Sequence, residues 1–332
     1  MTISAIVPVW NGRDLLDRLL ASLAAQTTPA AEVLVVDNGS QDGAPELARQ
    51  RGARVIPMGR NAGFAAAVNR GIREARGDWV AVLNSDVVLA PDYFEKLVAS
   101  GAPLATGKIL RSGPPVSGRP VIDATFDALC RGGAAWRVGS GRPDSAIFAE
   151  EVSIASPPWT AVLFRADIFG KVGYLEESFE SYLEDVDFGL RCAASHVRGR
   201  YIPAAQAWHV GSAALGRWHG ATVRCISRNQ LLLLARHYPR SLILRSFWHI
   251  LVAQLLWGAV ALRHRAGWPW LYGKIQGITR FAQARRNCPR IDQAFLAKWL
   301  GESERQVLEI QQACGFDSYW KLYFLLTRGG TK

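Results

Sequence analysis

The stretch NAGFAAAVNRGIREARGDWVAVLNSDVVL, residues 61–89, decides how the first third of the chain is read. Phe64, Val68, Ile72 and Ala75 recur at helical spacing and predict one buried helix face. Gly77 suits the C-terminal cap of that helix. Residues 79–83 then run apolar without interruption, as a strand buried on both faces does. Asn84, Ser85 and Asp86 break the run, and Val87, Val88 and Leu89 resume it. A carboxylate buried at a strand end costs several kcal/mol unless something pairs with it. Asp86 must therefore hold something.

The same alternation extends in both directions. Residues 3–9 predict a strand, and Leu15, Leu16, Leu19, Leu20 and Leu23 follow at helical spacing. Residues 32–36 form a second strand ending at Asp37, with a short helix near 44–51 and a strand at 53–57. Strand–helix alternation of this kind implies a doubly wound α/β sheet, in which ligands bind beyond the carboxyl ends of the strands. Asp37 and Asp86 both stand at such ends. Residues 111–145, rich in Gly, Pro, Arg and Ser, predict a long, partly ordered excursion beside the site. Strands are expected again at 152–156 and 159–165, a helix over 182–194 and a strand at 199–203. Beyond about 212 the pattern changes to long helices carrying Trp and Arg.

The bulk composition limits the classes available. The chain has 332 residues, 49% of them hydrophobic and 20% charged, enough to bury a sizeable core. Its five cysteines, at 130, 192, 225, 288 and 314, include no C-x-x-C pair and no metal-like spacing, so reduced thiols in a cytosolic compartment are expected. The first residues, MTISAIVPVW, lack the basic start and long apolar core of a signal peptide. Residues 1–210 carry 21 Lys+Arg against 23 Asp+Glu, a net of −2, while residues 211–332 carry 18 against 5, a net of +13. Seven of the 12 tryptophans lie in that basic tail.

Four short motifs carry chemistry. VVDNGSQDG (35–43) places a carboxylate and Asn-Gly-Ser at a strand end, which suits either hydrogen bonding to a nucleotide or a capped polar turn. The chain shows no G-x-G-x-x-G there and no G-x-x-x-x-G-K-[ST]. Asp86 suits a hard divalent cation bridged to a diphosphate, or else a helix cap. YLEDVDFGLR (182–191) crowds Glu184, Asp185 and Asp187 into one turn. Neighbouring carboxylates raise one another's pKa, which suits a general base, although the positive end of a helix favours an acidic first turn by itself. Asp187 and Arg191 can pair at i,i+4, leaving Glu184 or Asp185 to face the cleft. In AWHV (207–210), His209 is either a core histidine or the imidazole that completes a Mn2+ or Mg2+ site.

In order, AIVPVWNG, VLVVDNGSQDG, the 61–89 stretch, WTAVLFRADIFGKVGYLEESFESYLEDVDFGLR and WH resemble the family 2 glycosyltransferases, and within them the bacterial rhamnosyltransferase-like branch. The resemblance covers roughly residues 3–240. It implies a GT-A fold, a nucleotide-diphosphate sugar donor (dTDP- or UDP-linked), a divalent metal, Mn2+ or Mg2+, and an inverting transfer. By resemblance Asp37 matches the nucleotide-binding aspartate, and Pro8, Asn38, Asn61, Asn84 and Ser85 are expected beside it at the donor. Asp86 matches the metal-binding end of the family's D-x-D motif and His209 a downstream metal ligand. Asp185, with Glu184 before it, matches the base of the E-D motif. Asn84 stands where many members carry the first aspartate of D-x-D. No Q-x-x-R-W follows the E-D motif, which favours transfer of a single sugar over polymerisation.

The expected organisation is a catalytic domain over 1–215, with a donor half at about 1–110 and an acceptor half at about 111–215, followed by a helical region over 216–332. Residues 241–262 are the most apolar stretch, yet from Ile250 to Leu262 only 13 residues run without a charge, short of the ~20 a spanning helix needs. The reading favoured here lays these helices in a membrane interface at the cytoplasmic face. Trp248, Trp257, Trp268 and Trp270 would then sit at headgroup depth, and Arg263, Arg265, Lys274, Arg280, Arg285 and Arg286 would meet anionic lipid. A core helix or a homo-oligomer interface is the competing reading. Nucleic acid is not an expected partner, because the catalytic half offers no recognition module. The resemblance implies transfer of one sugar, with L-rhamnose from dTDP-rhamnose as the expected donor, to a polyprenyl-linked or glycan acceptor in cell-envelope polysaccharide synthesis. The alternatives are a sugar-nucleotide pyrophosphorylase, which VPVWNGRD matches poorly, and a non-catalytic sugar-nucleotide-binding or scaffold protein.

Overall fold

A computed structural model describes residues 1–211, 218–286, 288 and 291–327. The described chain divides into two units. The expected boundary at 215–216 lies outside the described residues.

The first unit begins with an alternation of β1 (Ile3–Val9), α1 (Arg13–Ala24), β2 (Glu32–Asp37), α2 (Ala44–Gln50), β3 (Arg54–Pro57), α3 (Phe64–Glu74) and β4 (Trp79–Leu83). β4, β1, β2 and β3 lie side by side and parallel. All seven residues of β1 are buried, as a central strand covered on both faces requires. Next come β5 (Val87–Leu89), α4 (Tyr93–Ala99), β6 (Leu104–Arg111), β7 (Ile122–Ala124), β8 (Asp127–Leu129), β9 (Ala135–Arg137), β10 (Val152–Ile154) and β11 (Ala161–Arg165). The unit closes with α5 (Ile168–Val172), α6 (Glu184–Ala194) and β12 (Gly199–His209). β11 runs antiparallel between β4 and β6, which makes the sheet mixed. Its order is β10-β12-β6-β11-β4-β1-β2-β3, with β5 added to β12 and β7 to β6.

Three local expectations are corrected. α3 ends at Glu74 with Ala75 extended, so Gly77 is not its cap. Gly77 instead lies where a Cβ would come within 2.7 Å of the Ser4 backbone nitrogen, so it is a close-approach glycine beside β1. The strand expected at 199–203 continues to His209, because an irregularity between Ile202 and Gln206 absorbs a register shift against β6 and lets pairing resume. The segment 111–145 is not a partly ordered excursion: it forms β7, β8 and β9, and Ile122, Ala124, Leu129, Cys130 and Val138 in it are buried.

The second unit takes Ala128–Trp136, the tip of the β8–β9 hairpin, together with α7 (Gly220–His237), α8 (Arg240–Arg245), α9 (Phe247–Arg263), α10 (Gly267–Arg286), α11 (Gln293–Cys314) and α12 (Ser318–Thr327). α7 and α10 approach closely through Gly273 and Gly277, one turn apart: a Cβ at Gly277 would meet Leu231 Cβ at 2.9 Å, and one at Gly273 would strike the Arg224 carbonyl. Glu304 on α11 binds the hairpin tip through Arg131, whose Nη2 lies 2.6 Å away, and accepts from Tyr323 on α12. Lys274 does not face solvent. Its Nζ donates to the Ser227 carbonyl at 3.0 Å, to Gln230 Oε1 at 2.8 Å and to Gln254 Oε1. Trp257 also turns inward, donating from Nε1 to Ser227 Oγ at 2.9 Å, and Trp270 packs over Gly258. Of the four tryptophans expected at an interface, Trp248 and Trp268 are exposed, at 50% and 73%. Among the described residues no helix is long and apolar enough to cross a membrane.

Candidate active site

The register of the sheet assembles the site. β12 pairs antiparallel with β5 so that His209 lies opposite Val87, and the Val210 N–H donates to the Asp86 carbonyl at 3.1 Å. This places His209 Nε2 3.0 Å from Asp86 Oδ1, although the two residues are 123 positions apart in sequence (209 − 86). The other ring nitrogen, Nδ1, lies 2.8 Å from Asp123 Oδ2 on β7. Arg111, at the end of β6, reaches the second oxygen of Asp123 at 3.5 Å. Burial opposes charge on the imidazole, but the two carboxylates prevail and push its pKa up to about 9. Burial works most strongly against the Asp123 carboxylate, yet the bond to His209 and the charges of His209, Arg137 and Arg111 together outweigh it, so its pKa falls below the ordinary range.

Asn84 stands beside this group, its Nδ2 3.5 Å from His209 Nε2, and its backbone N–H is tied to the Thr160 carbonyl at 2.9 Å. Ser85 sits half-buried in the same turn. At the end of β2, Asp37 Oδ1 caps its own loop by accepting from the Ser40 N–H at 2.9 Å. Both ends of the Asn38 amide are engaged with the next loop: Oδ1 accepts from Ala62 N at 3.2 Å and Nδ2 donates to the Gly63 carbonyl at 3.2 Å. Asn61 caps that loop through Gly63 N at 3.0 Å. Pro8 lies buried opposite Val36 in the β1–β2 register. Asn38 and Asn61 thus shape the loop with the groups the sequence offered to a nucleotide.

The segment leading into α6 is strained. Glu180, Tyr182 and Leu183 have φ of 61°, 71° and 68°, left-handed values that L residues rarely adopt. Strain of this kind persists where the surroundings over-determine the backbone, often at functional sites. Here α3 does so: the Ala65 N–H donates to the Glu180 carbonyl at 3.0 Å, and Phe64 N reaches Ser181 Oγ at 3.3 Å. On α6 itself Arg191 reaches the fully buried Asp187 at 2.9 Å and also donates to the carbonyls of Val172 and Tyr174, so that carboxylate is structural. Asp185 Oδ1 accepts from Val186 N at 2.9 Å, and its Oδ2 from Arg137 Nη2 at 2.9 Å. Glu184 is buried, and its Oε2 has no hydrogen-bond partner. Burial, with the Asp185 carboxylate beside it, pushes the Glu184 carboxyl well above the usual range. A carboxyl that keeps its proton is a poor base at neutral pH, which leaves Asp185 as the better candidate.

Residues that sequence reasoning missed are Arg111, Asp123, Asp127 and Arg137. All lie in 111–145, and the only sequence signal for them is the alternation of VIDATFDAL over 121–129. No group of three His, Cys, Asp or Glu suited to a metal occurs among the described residues. Asp86 and His209 nonetheless fit a shared cation as a pair. Asp123 on Nδ1 orients the ring with Nε2 toward Asp86, the usual way a ligating histidine is held, and an oxygen-plus-imidazole set suits Mn2+ or Mg2+.

Comparison with known proteins places this geometry in a class. Among solved structures, GalNAc-T7 with UDP, GalNAc and Mn2+ superposes with a TM-score of 0.63 at 15% identity, covering 95% of this chain and 58% of that one. The fold is therefore GT-A, a mixed α/β sheet followed here by a helical region. The glycosyl transferase family 2 model matches residues 4–100. An N-acetylglucosaminyl-diphospho-decaprenol L-rhamnosyltransferase of Mycobacterium tuberculosis is 32% identical over 274 residues, covering 75% of this chain and 87% of its own length. Validoxylamine A glucosyltransferase of Streptomyces hygroscopicus subsp. jinggangensis is 27% identical over 275 residues, covering 75% of this chain and 63% of its own. The chain belongs to glycosyl transferase family 2, in its rhamnosyltransferase-like branch, and is a glycosyltransferase.

Proposed function

We propose that this enzyme transfers a single L-rhamnosyl group, with inversion, from dTDP-rhamnose to a polyprenyl-diphosphate-linked glycan at the cytoplasmic membrane face, in cell-envelope polysaccharide synthesis. The approach of Asp86, His209 and Asp123 at one end of the sheet carries the catalytic part of this reading. The sugar and the lipid carrier rest on the Mycobacterium tuberculosis relative, whose name specifies both.

Asp86 Oδ1 and His209 Nε2 would hold Mn2+ or Mg2+, with donor diphosphate oxygens and water completing the shell. When bound, that cation neutralises the charge that develops on the departing diphosphate. Asn84 adds a hydrogen-bonding group there without a third negative charge. Asp37, at the end of β2, would bind the nucleoside. Asp185 would take the proton of the acceptor hydroxyl as that oxygen attacks the anomeric carbon from the face opposite the diphosphate.

The tail supports a lipid surface. No Asp or Glu occurs from Phe188 to Ile291, and residues 240–286, which hold α8–α10, carry eight Lys and Arg. Exposed apolar side chains recur on α10 at Trp268, Leu271, Ile275 and Ile278, one helical face. Arg263, Arg265, Arg285 and Arg286 would meet anionic lipid, whereas Lys274 is engaged internally. Pairing two such faces in a homo-oligomer would bring like charges together, so an anionic bilayer is the better cover.

The test is release of nucleoside diphosphate from a panel of dTDP- and UDP-sugars, with polyprenyl-diphosphate acceptors and Mn2+ or Mg2+. Acceptor-dependent release is expected with dTDP-rhamnose, and Asp86→Ala should abolish it. Undiminished turnover in EDTA would overturn the metal reading, and preference for another sugar the donor reading. Flotation with liposomes should require anionic lipid and weaken in high salt; equal binding to neutral vesicles would refute the surface.

A further inference from the structure

Asp185 shares its arginine. Arg137 Nη2 lies 2.9 Å from Asp185 Oδ2, while Nε lies 3.2 Å from Asp127 Oδ1 and Nη2 3.5 Å from Asp127 Oδ2. The three side chains come from β8, β9 and the head of α6. Asp127 and Asp185 are 5% and 9% exposed, whereas Arg137 keeps 37% of its surface. One carboxylate would satisfy the guanidinium fork, because Arg–carboxylate pairs are readily bidentate. A second buried carboxylate adds repulsion and desolvation. The conflict falls on Asp127: burial, reinforced by the Asp185 carboxylate and only partly offset by Arg137, pushes its pKa up to about 7. Glu184, immediately before Asp185, and Asp123 on β7 are the other charged groups acting here. A merely structural pair needs no such third member.

We propose that Arg137 and Asp127 are positioning residues for the base of the transfer: Arg137 aims the Asp185 carboxylate at the acceptor hydroxyl, and Asp127 takes up part of the guanidinium charge so that Asp185 still accepts the proton. The inference rests on the assignment of Asp185 as base. In the step it serves, the acceptor oxygen bonds to the anomeric carbon and its proton passes to Asp185. The bond from that carbon to the diphosphate oxygen breaks, its electron pair leaving on the diphosphate. With Arg137 bound to Asp185 alone, the full cation would hold the carboxylate in its ionised form and weaken it as a proton acceptor. With neither partner, the carboxylate would lose its aim.

The experiment is the pH dependence of the single-turnover rate for the full-length enzyme, with donor affinity measured in parallel. Asp127 carries its charge above about pH 7, so there Asp127→Asn leaves the full Arg137 cation to Asp185 and the plateau should fall by ~10-fold or more, within the range of general-base effects, while the acid limb stays near the wild-type position. Arg137→Met leaves two carboxylates facing each other, so the acid limb should move to higher pH. Arg137→Lys keeps the charge and loses the fork: the limb should stay nearer the wild-type position while the rate falls. Donor affinity should remain within about twofold throughout, since none of the three residues is assigned to the donor. A plateau unchanged in Asp127→Asn, or an acid limb unmoved in Arg137→Met while Asp185→Asn is inactive, would overturn this inference and leave the base assignment standing. An active Asp185→Asn would overturn the base assignment itself. If Arg137→Met does not fold, the plateau of Asp127→Asn decides the question: unchanged, it overturns the inference.

Discussion

Gly63 joins α3 to the segment that carries Asp185, the proposed base, and Gly63→Ala tests that joint. The residue has φ 90° and ψ 168°, a region essentially reserved for glycine, at the N-terminus of α3. Holding an alanine there costs ~1–3 kcal/mol in backbone strain alone. The added Cβ would lie 2.8 Å from the Glu180 carbonyl oxygen and 3.0 Å from the Glu180 Cα, so backbone, not a flexible side chain, must yield. Glu180 is itself left-handed at φ 61° and accepts the Ala65 N–H at 3.0 Å, so the displacement loads an already strained turn. A loss of at least ~2 kcal/mol is expected, which for a unit of this size lowers the midpoint by roughly 2–4 °C per kcal/mol. The same push moves the approach to Asp185, so turnover should fall more than donor affinity. The control is Gly170→Ala in α5, where a Cβ meets nothing within 4 Å and φ is not left-handed. That change should be neutral or stabilise by up to ~1 kcal/mol. Thermal unfolding of both variants, with single-turnover rates, makes the comparison. Indistinguishable stabilities for the two alanines would refute the argument.

Asp187→Asn should destabilise the protein by ~3–5 kcal/mol in urea unfolding, because it strips the buried Arg191 of its carboxylate; a loss below ~1 kcal/mol would show that the two backbone carbonyls suffice. Asp127 keeps its proton in the folded state up to about 7 but loses it near 3.8 when unfolded. Between those values the folded state binds the extra proton, so stability should fall as pH rises, and Asp127→Asn should flatten that decline. A slope unchanged in the variant would count against it. Asp123→Asn should weaken Mn2+ binding by ~10–100-fold in calorimetry without removing a ligand, because it frees the far side of His209. Unchanged affinity would mean the ring is oriented by other contacts.

The parallel half of the sheet was legible because its signals are local. Buried strands such as 79–83 and the face Phe64–Val68–Ile72 are written as short periods in consecutive residues. Asp37, Asp86 and Asp185 could be picked out for the same reason: each breaks or opens an element whose type was already evident. The positions of Asp123, Asp127 and Arg137 were decided by tertiary pairing. β7, β8 and β9 are three residues each, too short to show a period, and they exist only because β7 adds to β6 and β8 and β9 pair with each other. His209 reaches Asp86 through a register irregularity in β12 that no periodicity records. In the tail, composition identified basic, apolar helices, yet not which way they face. Lys274 turns inward because Gly273 and Gly277 let α10 close on α7, whose Ser227 carbonyl and Gln230 amide oxygen it then satisfies, while Trp257 on α9 donates to Ser227 Oγ.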